Sequence, residues 1–358
     1  MAYTTIDDPS AYFQTALFTG NAGTNAITNT GNSDLQPDWV WFKRRDDTSH
    51  HVVFDSVRGV TKGVYPNLAN AEDNLSDTVA SFNSDGFTMG ADTGSGGSFN
   101  GNSITMVAWQ WKAGTSFTND ASGTSIGSID SAGSFNNDAG FSICTFTGTG
   151  SAGTIKHGLN TVPKMIILKG RSEAKAWTVY HNALGAGKSM ALATNAAAVT
   201  NSTYWGGTEP TSSVFSTGSS TNVSGNNITI VAYCFAEKQG YSKFGSYIGN
   251  GNIDGPFCFT GFKPAFVLTK TASAAYHWTI NDNKRNTFNP VDKRLYASTN
   301  GVEATDDSYD IKFLSNGFKI RSTSVSFNAS GDEVIYMAFA ENPLVTSTDN
   351  GSIPATAR

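Results

Sequence analysis

Apolar and polar positions in this chain alternate over short distances, and no long stretch repeats every three or four residues. The strongest pattern is a continuous apolar run led by proline and closed by lysine. It occurs at Pro37–Lys43 (Pro-Asp-Trp-Val-Trp-Phe-Lys), Pro163–Lys169 (Pro-Lys-Met-Ile-Ile-Leu-Lys) and Pro264–Lys270 (Pro-Ala-Phe-Val-Leu-Thr-Lys). Proline has no amide to donate and suits the first position of a strand. The β-branched and aromatic residues after it have strand composition. An unbroken run predicts a strand covered on both faces. A short strand ending in a glycine turn precedes each run, at Tyr12–Gly20, Phe141–Gly148 and Phe244–Gly251. The spacing from Phe146 to Pro163 and from Tyr247 to Pro264 is 17 positions in both cases, and from Phe18 to Pro37 it is 19.

The pattern continues in register. A polar turn and another strand follow at His51–Asp55, Ala176–Asn182 and His277–Asp282. Hairpins are predicted at Asp85-Gly86 and Asn316-Gly317, dipeptides that accept tight-turn geometry; the second copy keeps only the strand Val214–Gly218. Each copy closes on alternating aromatic and small residues, at Asn102–Lys112, Asn227–Glu237 and Glu333–Glu341. Aligning Ala108, Ala232 and Ala338 places these alanines 71, 69 and 74 residues after the proline of their own copy.

The expected fold is therefore all-β: three tandem homologous β-sandwich or jelly-roll-like domains. The expected boundaries are an arm at 1–11, repeats at 12–112, 140–240 and 241–343, and a tail at 344–358. The Ser/Gly/Asn-rich segment 113–139 between the first two repeats is either a tether or a hairpin built on Ile126–Ile129. Repeats two and three, joined through Lys238–Lys243, are expected to pack together with repeat one set apart.

Composition narrows the function classes. Charged residues make up 15% and glycine is abundant at 37, which fits short strands and tight turns. A net charge of -5 offers no basic footprint for nucleic acid. No apolar run reaches membrane-span length, and the N-terminus lacks the charged and apolar regions of a signal peptide. Cys144, Cys234 and Cys258 each lie in an apolar strand and read as buried thiols of a chain made in a reducing cytoplasm; a Cys144–Cys234 bridge is the alternative.

The residues Ala232–Glu237, Ser242–Tyr247, Gly255-Pro256-Phe257 and Thr260–Leu268, with the ending Tyr336-Met-Ala-Phe-Ala-Glu-Asn-Pro343, resemble a repeat family of tailed phages, marine ones especially. The resemblance is strong over about 141–343 and looser over 12–112, where Trp109-Gln110-Trp111-Lys112 replaces the usual ending. It implies a non-enzymatic virion protein in a tail, fibre or other surface appendage, made in the host bacterial cytoplasm. It also implies other virion proteins as partners, and it carries over no catalytic residue. The leading expectation is a role in host attachment, as a homo-oligomer, through a host-surface glycan or protein. The alternatives are a head decoration protein and, more distantly, an enzyme acting on surface polysaccharide.

Candidate chemistry is sparse, and no cofactor or metal is expected. Gly185-Ala-Gly-Lys-Ser189 resembles the end of a phosphate loop, but the glycine that pattern needs is Asn182, so a polar turn is the simpler reading. His50, His51, His157, His181 and His277 match no zinc spacing. Asp306-Asp307-Ser308-Tyr309-Asp310 reads as a solvated acidic turn before a calcium loop. Glu237 and Glu341 occupy matched positions and are expected to pair with Lys169 or Lys270; the other glutamates, Glu173, Glu209, Glu303 and Glu333, fall in turns and strand ends. Tyr204, Trp205 and Tyr276 lie in predicted loops and are the candidate surface-contact aromatics, for another protein or for glycan.

Overall fold

Each Pro-led run lies inside an antiparallel sheet, between the strand that closes its repeat and the strand that follows it. The computed structural model describes residues 3–94 and 99–346. In the first sheet the order is Phe13–Thr19, Thr105–Trp111, Trp39–Arg44, Val52–Asp55, Gly59–Val64 and Asp73–Asn74. The third sheet repeats it with Ser242–Ile248, Glu333–Pro343, Phe262–Thr271, Thr279–Asp282, Lys293–Tyr296 and Ala304–Thr305. The second follows the same order from Phe141–Thr147 to Val199–Thr200. Two extra strands, Thr115–Asn119 and Ser131–Asn136, widen it on the Phe141 side. The 113–139 segment is thus a hairpin whose connection holds a short helix, Ala121–Thr124, capped by Asp120.

A smaller sheet covers the outer face of each large one. In the first repeat it is Asn25–Ile27, Phe87–Met89 and Val79–Phe82; in the third, Phe257–Phe259, Gly317–Ile320 and Ile311–Leu314. The Asp85-Gly86 turn works because Gly86 has φ +84° and a Cβ there would meet the Ile27 carbonyl oxygen at 2.0 Å. The second repeat pairs only Gly153–Lys156 with Val214–Thr217. Each sandwich encloses its own core, around Phe42, Phe54 and Phe87, around Ile166, Trp205 and Phe215, and around Val267, Phe313 and Phe318.

The inner faces of all three large sheets meet in one further core. One row of each sheet reads Phe13–Trp111–Trp39–Asp55, Phe141–Phe235–Met165–His181 and Ser242–Phe339–Phe266–Asp282. Trp39 packs on Tyr233 with ring centroids 4.8 Å apart, Phe13 on Phe339 at 5.3 Å, and Phe235 on Phe339 at 6.1 Å. Such pairs contribute about 0.5–1.5 kcal/mol each beyond the area they bury. Repeat one is therefore not set apart: it supplies four tryptophans, Trp39, Trp41, Trp109 and Trp111, to a core shared by all three repeats. The continuous apolar runs have this cause, since one face of each belongs to its own sandwich and the other to the common core.

The register corrects one alignment. Phe42 pairs with Ala108 and Leu168 with Ala232, but the matching residue Thr269 pairs with Tyr336, and Ala338 lies two residues further on. A two-residue slip preserves which face each side chain occupies, so the alternation of aromatic and small residues conceals it.

The start of the described arm packs on the third repeat and on the turn that leads into it. Tyr3 Oη donates to the Gly261 carbonyl (2.7 Å), Thr4 Oγ1 to that of Gln239 (2.7 Å), and Ile6 enters the common core. Leu344 N also reaches Gly261 O (3.2 Å), so Tyr3 and Leu344 share one carbonyl acceptor. Residues 347–358 of the expected tail lie outside the described residues.

Candidate functional site

The polar side chains capable of chemistry collect where the repeats meet. Three equivalent positions, His51, Trp177 and Trp278, lie opposite the lysines Lys43, Lys169 and Lys270. Each reaches the preceding repeat in a ring. Trp177 Nε1 donates to Tyr65 O (2.8 Å), Trp278 Nε1 to Ala191 O (2.9 Å), and His51 Nε2 to Tyr296 O (3.0 Å). Tyr65, Ala191 and Tyr296 are themselves equivalent, each directly following the strand residue that pairs in the same row. His51 Nδ1 accepts from Trp41 Nε1 (2.8 Å), which assigns the proton to Nε2. Burial, and then the nearby Lys43 ammonium, hold its pKa well below the usual histidine value.

A second set of equivalent positions joins the same three pairs. Between repeats one and two, Arg58 Nε meets Asp55 Oδ2 at 2.5 Å, both side chains being fully buried. Tyr233 Oη donates to Asp55 Oδ2 (2.7 Å), Arg58 Nη1 meets Glu72 Oε2 (2.9 Å), and Arg171 Nε reaches the same oxygen (2.8 Å). Between repeats three and one, Arg285 Nε meets Asp282 Oδ2 (2.5 Å) and Trp109 Nε1 donates to that oxygen (3.0 Å). Glu303 bridges Arg285 (3.3 Å) and Arg45 (2.9 Å). Between repeats two and three the same places hold His181, Leu184, Met337, Ala198 and Ala272. His181 Nε2 donates to Tyr336 O (3.1 Å), while its Nδ1 accepts from Ala183 N (3.2 Å). One backbone bond recurs in all three: Glu72 N to Arg171 O (2.8 Å), Ala198 N to Ala272 O (2.8 Å) and Glu303 N to Arg45 O (3.0 Å).

These surroundings set the protonation states. Burial works against the Arg58 charge, but Asp55 and Glu72 outweigh it and raise its pKa. Burial pushes Glu72 up, and its bonds to Arg171 and Arg58 outweigh that and hold it below the usual value. Burial lowers His181 to about 4. The three lysines are buried, and each is lowered to about 8, chiefly by burial. Their ammonium groups bond carbonyls: Lys43 that of Arg44, Lys169 those of Ala69 and Lys175, and Lys270 those of Thr271 and Ala274. The expected glutamate pairings are therefore corrected: Glu237 meets Lys243 at 2.6 Å and Glu341 meets Lys263 at 3.5 Å.

The other expected residues are dispersed. His157 bonds Thr211 O (3.1 Å) and His50 bonds Asn67 (2.7 Å). Asp306 caps a short 3-10 helix, meets Arg294 at 2.8 Å and is held at about 2 by Ser308 and Arg294. Glu209 accepts from Tyr180 Oη and from Ala186 N, next to the phosphate-loop-like turn. The cysteines are free and buried. Among the described residues no group of His, Cys, Asp and Glu is placed to hold a metal ion, and no helix is long and apolar enough to cross a membrane.

Of the three expected surface aromatics, Trp205 needs correction. Trp205 ends a helix capped by Asn201 and is turned inward, 1% exposed, against Tyr180. Tyr204 packs partly buried on the same core, and Tyr276 is partly buried. Among the described residues Phe257, Phe259 and Phe288 are exposed phenylalanines; the first two, 45% and 55% exposed, lie on the outer strand of the third repeat's small sheet. Their equivalents are Ala26 and Thr28 in repeat one and Thr154 and Lys156 in repeat two. The signal was present in Phe257-Cys258-Phe259: strand alternation that turns the cysteine inward turns both rings outward.

No curated protein and no solved structure matches the chain. One family model spans residues 8–343, all three repeats together, and the chain accordingly belongs to the family described as "Domain of unknown function (DUF7483)".

Proposed function

We propose that this chain is a non-enzymatic structural protein of a tailed-bacteriophage particle, associated with the tail or a fibre, and that it contributes to host attachment. The observation that carries this reading is where the buried charge goes. Asp55, Arg58, Glu72, Asp282, Arg285 and Glu303 fix repeats to one another around a common aromatic core. Such a block is a stiff mount for outer loops. Weak contacts made by such loops add up when a particle carries several copies. The resemblance of the Phe-Ala-Glu endings to phage appendage repeats supports the same reading. Exposed Ile248, Ile253, Phe257 and Phe259 fall close together along the third repeat and suit contact with other virion proteins.

Immunogold electron microscopy of intact particles tests this. Label at the tail, with binding of the purified protein to host cells, is the expected result. Label spread over the head would replace attachment with decoration of the capsid, and absence of label from particles would end the virion reading.

A further inference from the structure

The three junctions are closed in different ways. On the repeat-one side of its junction with repeat two, the Asp38 carboxylate accepts from Ser56 Oγ (2.6 Å) of the same repeat and from Ala113 N (2.9 Å), where the linker begins. Between repeats two and three the chain itself closes the gap, with Lys238 N donating to Ser242 Oγ (3.0 Å) and that hydroxyl to Ala236 O (3.3 Å). Between repeats three and one no segment connects the strands directly, and Ala265 stands where Asp38 stands in the first copy. A cleft of about 400 Å³ remains there, within the range of small-ligand sites.

Its floor is Phe13, Ala265 and Ala340, each under one-tenth exposed. Its walls are held in place. Gln14 Nε2 donates to Ser10 O (3.0 Å) and Ser33 O (2.8 Å), and its Oε1 accepts from Gly31 N (2.8 Å). Asp8 Oδ2 accepts from Ser33 Oγ (2.5 Å), tying the arm to the 30–33 loop. Across the cleft, Asn283 Nδ2 donates to Glu341 Oε2 (2.9 Å). Asn32 and Lys284 stand at the exposed rim.

We infer that this cleft is a binding site for one neutral sugar residue of a surface glycan. Asp8 and Glu341 line the cleft with Lys284, and Lys263 offsets Glu341 from 3.5 Å, so the charges balance and favour neither an anion nor a cation. A ring of amides, hydroxyls and carboxylates disfavours a wholly apolar ligand. A sugar ring satisfies both parts: its C–H face suits the Phe13–Ala265–Ala340 floor, and its hydroxyls both donate and accept at the rim. The inference rests on the attachment reading for its biological meaning and supplies that reading's ligand class. Its failure is separable, because particle labelling does not depend on the cleft.

The test is saturation-transfer NMR on the full chain with millimolar glucose, galactose, mannose and N-acetylglucosamine. At least one sugar is expected to receive saturation. Its affinity should fall about tenfold or more in Asn32→Trp, which fills the mouth from an exposed position, at an unchanged melting temperature. Lys284→Ala, which removes a rim donor without adding bulk, should weaken the same sugar if the tryptophan disturbs the loop. Transfer to none of the four, or transfer undiminished in both variants, overturns the inference.

Discussion

The first and second junctions have the same backbone geometry and opposite chemistry. Between repeats one and two, Asp55, Arg58, Glu72, Arg171 and Tyr233 form a charged network whose Asp55–Arg58 pair is fully buried. Between repeats two and three, His181, Leu184, Ala198, Ala272 and Met337 occupy the matching positions, and the same backbone bond is 2.8 Å in both. Charge is therefore not what shapes a junction; sheet edges and the shared core do that. The linkers explain the difference. Repeats two and three are joined by a tight turn that already decides which surfaces meet. Repeats one and two are separated by a long hairpin, and repeats three and one have no direct link. Charged networks occur at those two junctions, where a wrong pairing of similar apolar faces has to be discouraged. This use of buried ions for specificity is a hypothesis for this protein.

The largest expected effect comes from breaking a network on one side. Arg58→Met or Arg285→Met leaves a fully buried aspartate without its partner and should cost about 3–5 kcal/mol in urea unfolding. A loss under about 1 kcal/mol would break the comparison.

Acid should act next on the neutral junction through His181, and also on the junction of repeats three and one through His51, whose pKa burial lowers in the same direction. His181 titrates near 4 in the folded chain, below its ordinary value of 6.5. The unfolded chain thus binds more protons between those values, and stability falls as pH drops from about 6.5 to 4, by about 3 kcal/mol in all. His181→Gln should flatten that part of the profile. Glu72, whose pKa is lowered, keeps its contribution until pH falls below the ordinary carboxylate range. If the profile of His181→Gln matched that of the parent, the neutral junction would carry none of the acid sensitivity.

A smaller change is expected when the charged junction is rewritten as the neutral one. Asp55→His with Arg58→Leu should recover most of the Arg58→Met loss and settle within about 1–2 kcal/mol of the parent, since no lone buried charge remains. A double variant as unstable as the single one would show that the two sets are not interchangeable. Tyr233→Phe, which removes one hydroxyl from Asp55, is the mildest, at about 1–2 kcal/mol by thermal unfolding.

The sheets were legible because proline, strand-forming residues and lysine recur at fixed offsets. Even the two-sided burial could be read, from unbroken apolar runs such as Met165–Leu168. What covered the second face could not, because an apolar side chain does not name its partner; Trp39 reads the same whether it faces its own repeat or Tyr233 of another. The charged networks left a trace in the matched Asp-x-x-Arg of Asp55–Arg58 and Asp282–Arg285, which His181–Leu184 lacks. Trp205 was misjudged because its neighbours read as a loop, whereas the Asn201 cap starts a single helical turn that points the ring inward.

The common core also sets the order of events during synthesis. Trp39 and Phe339 belong to one cluster yet are 300 positions apart in the chain. At typical translation rates the first repeat waits roughly 15–60 s for its last neighbours to leave the ribosome. Until then four tryptophans have no permanent cover. The nascent chain is a natural client for chaperones, and its yield in cells should respond to chaperone supply more steeply than the strength of the finished fold suggests.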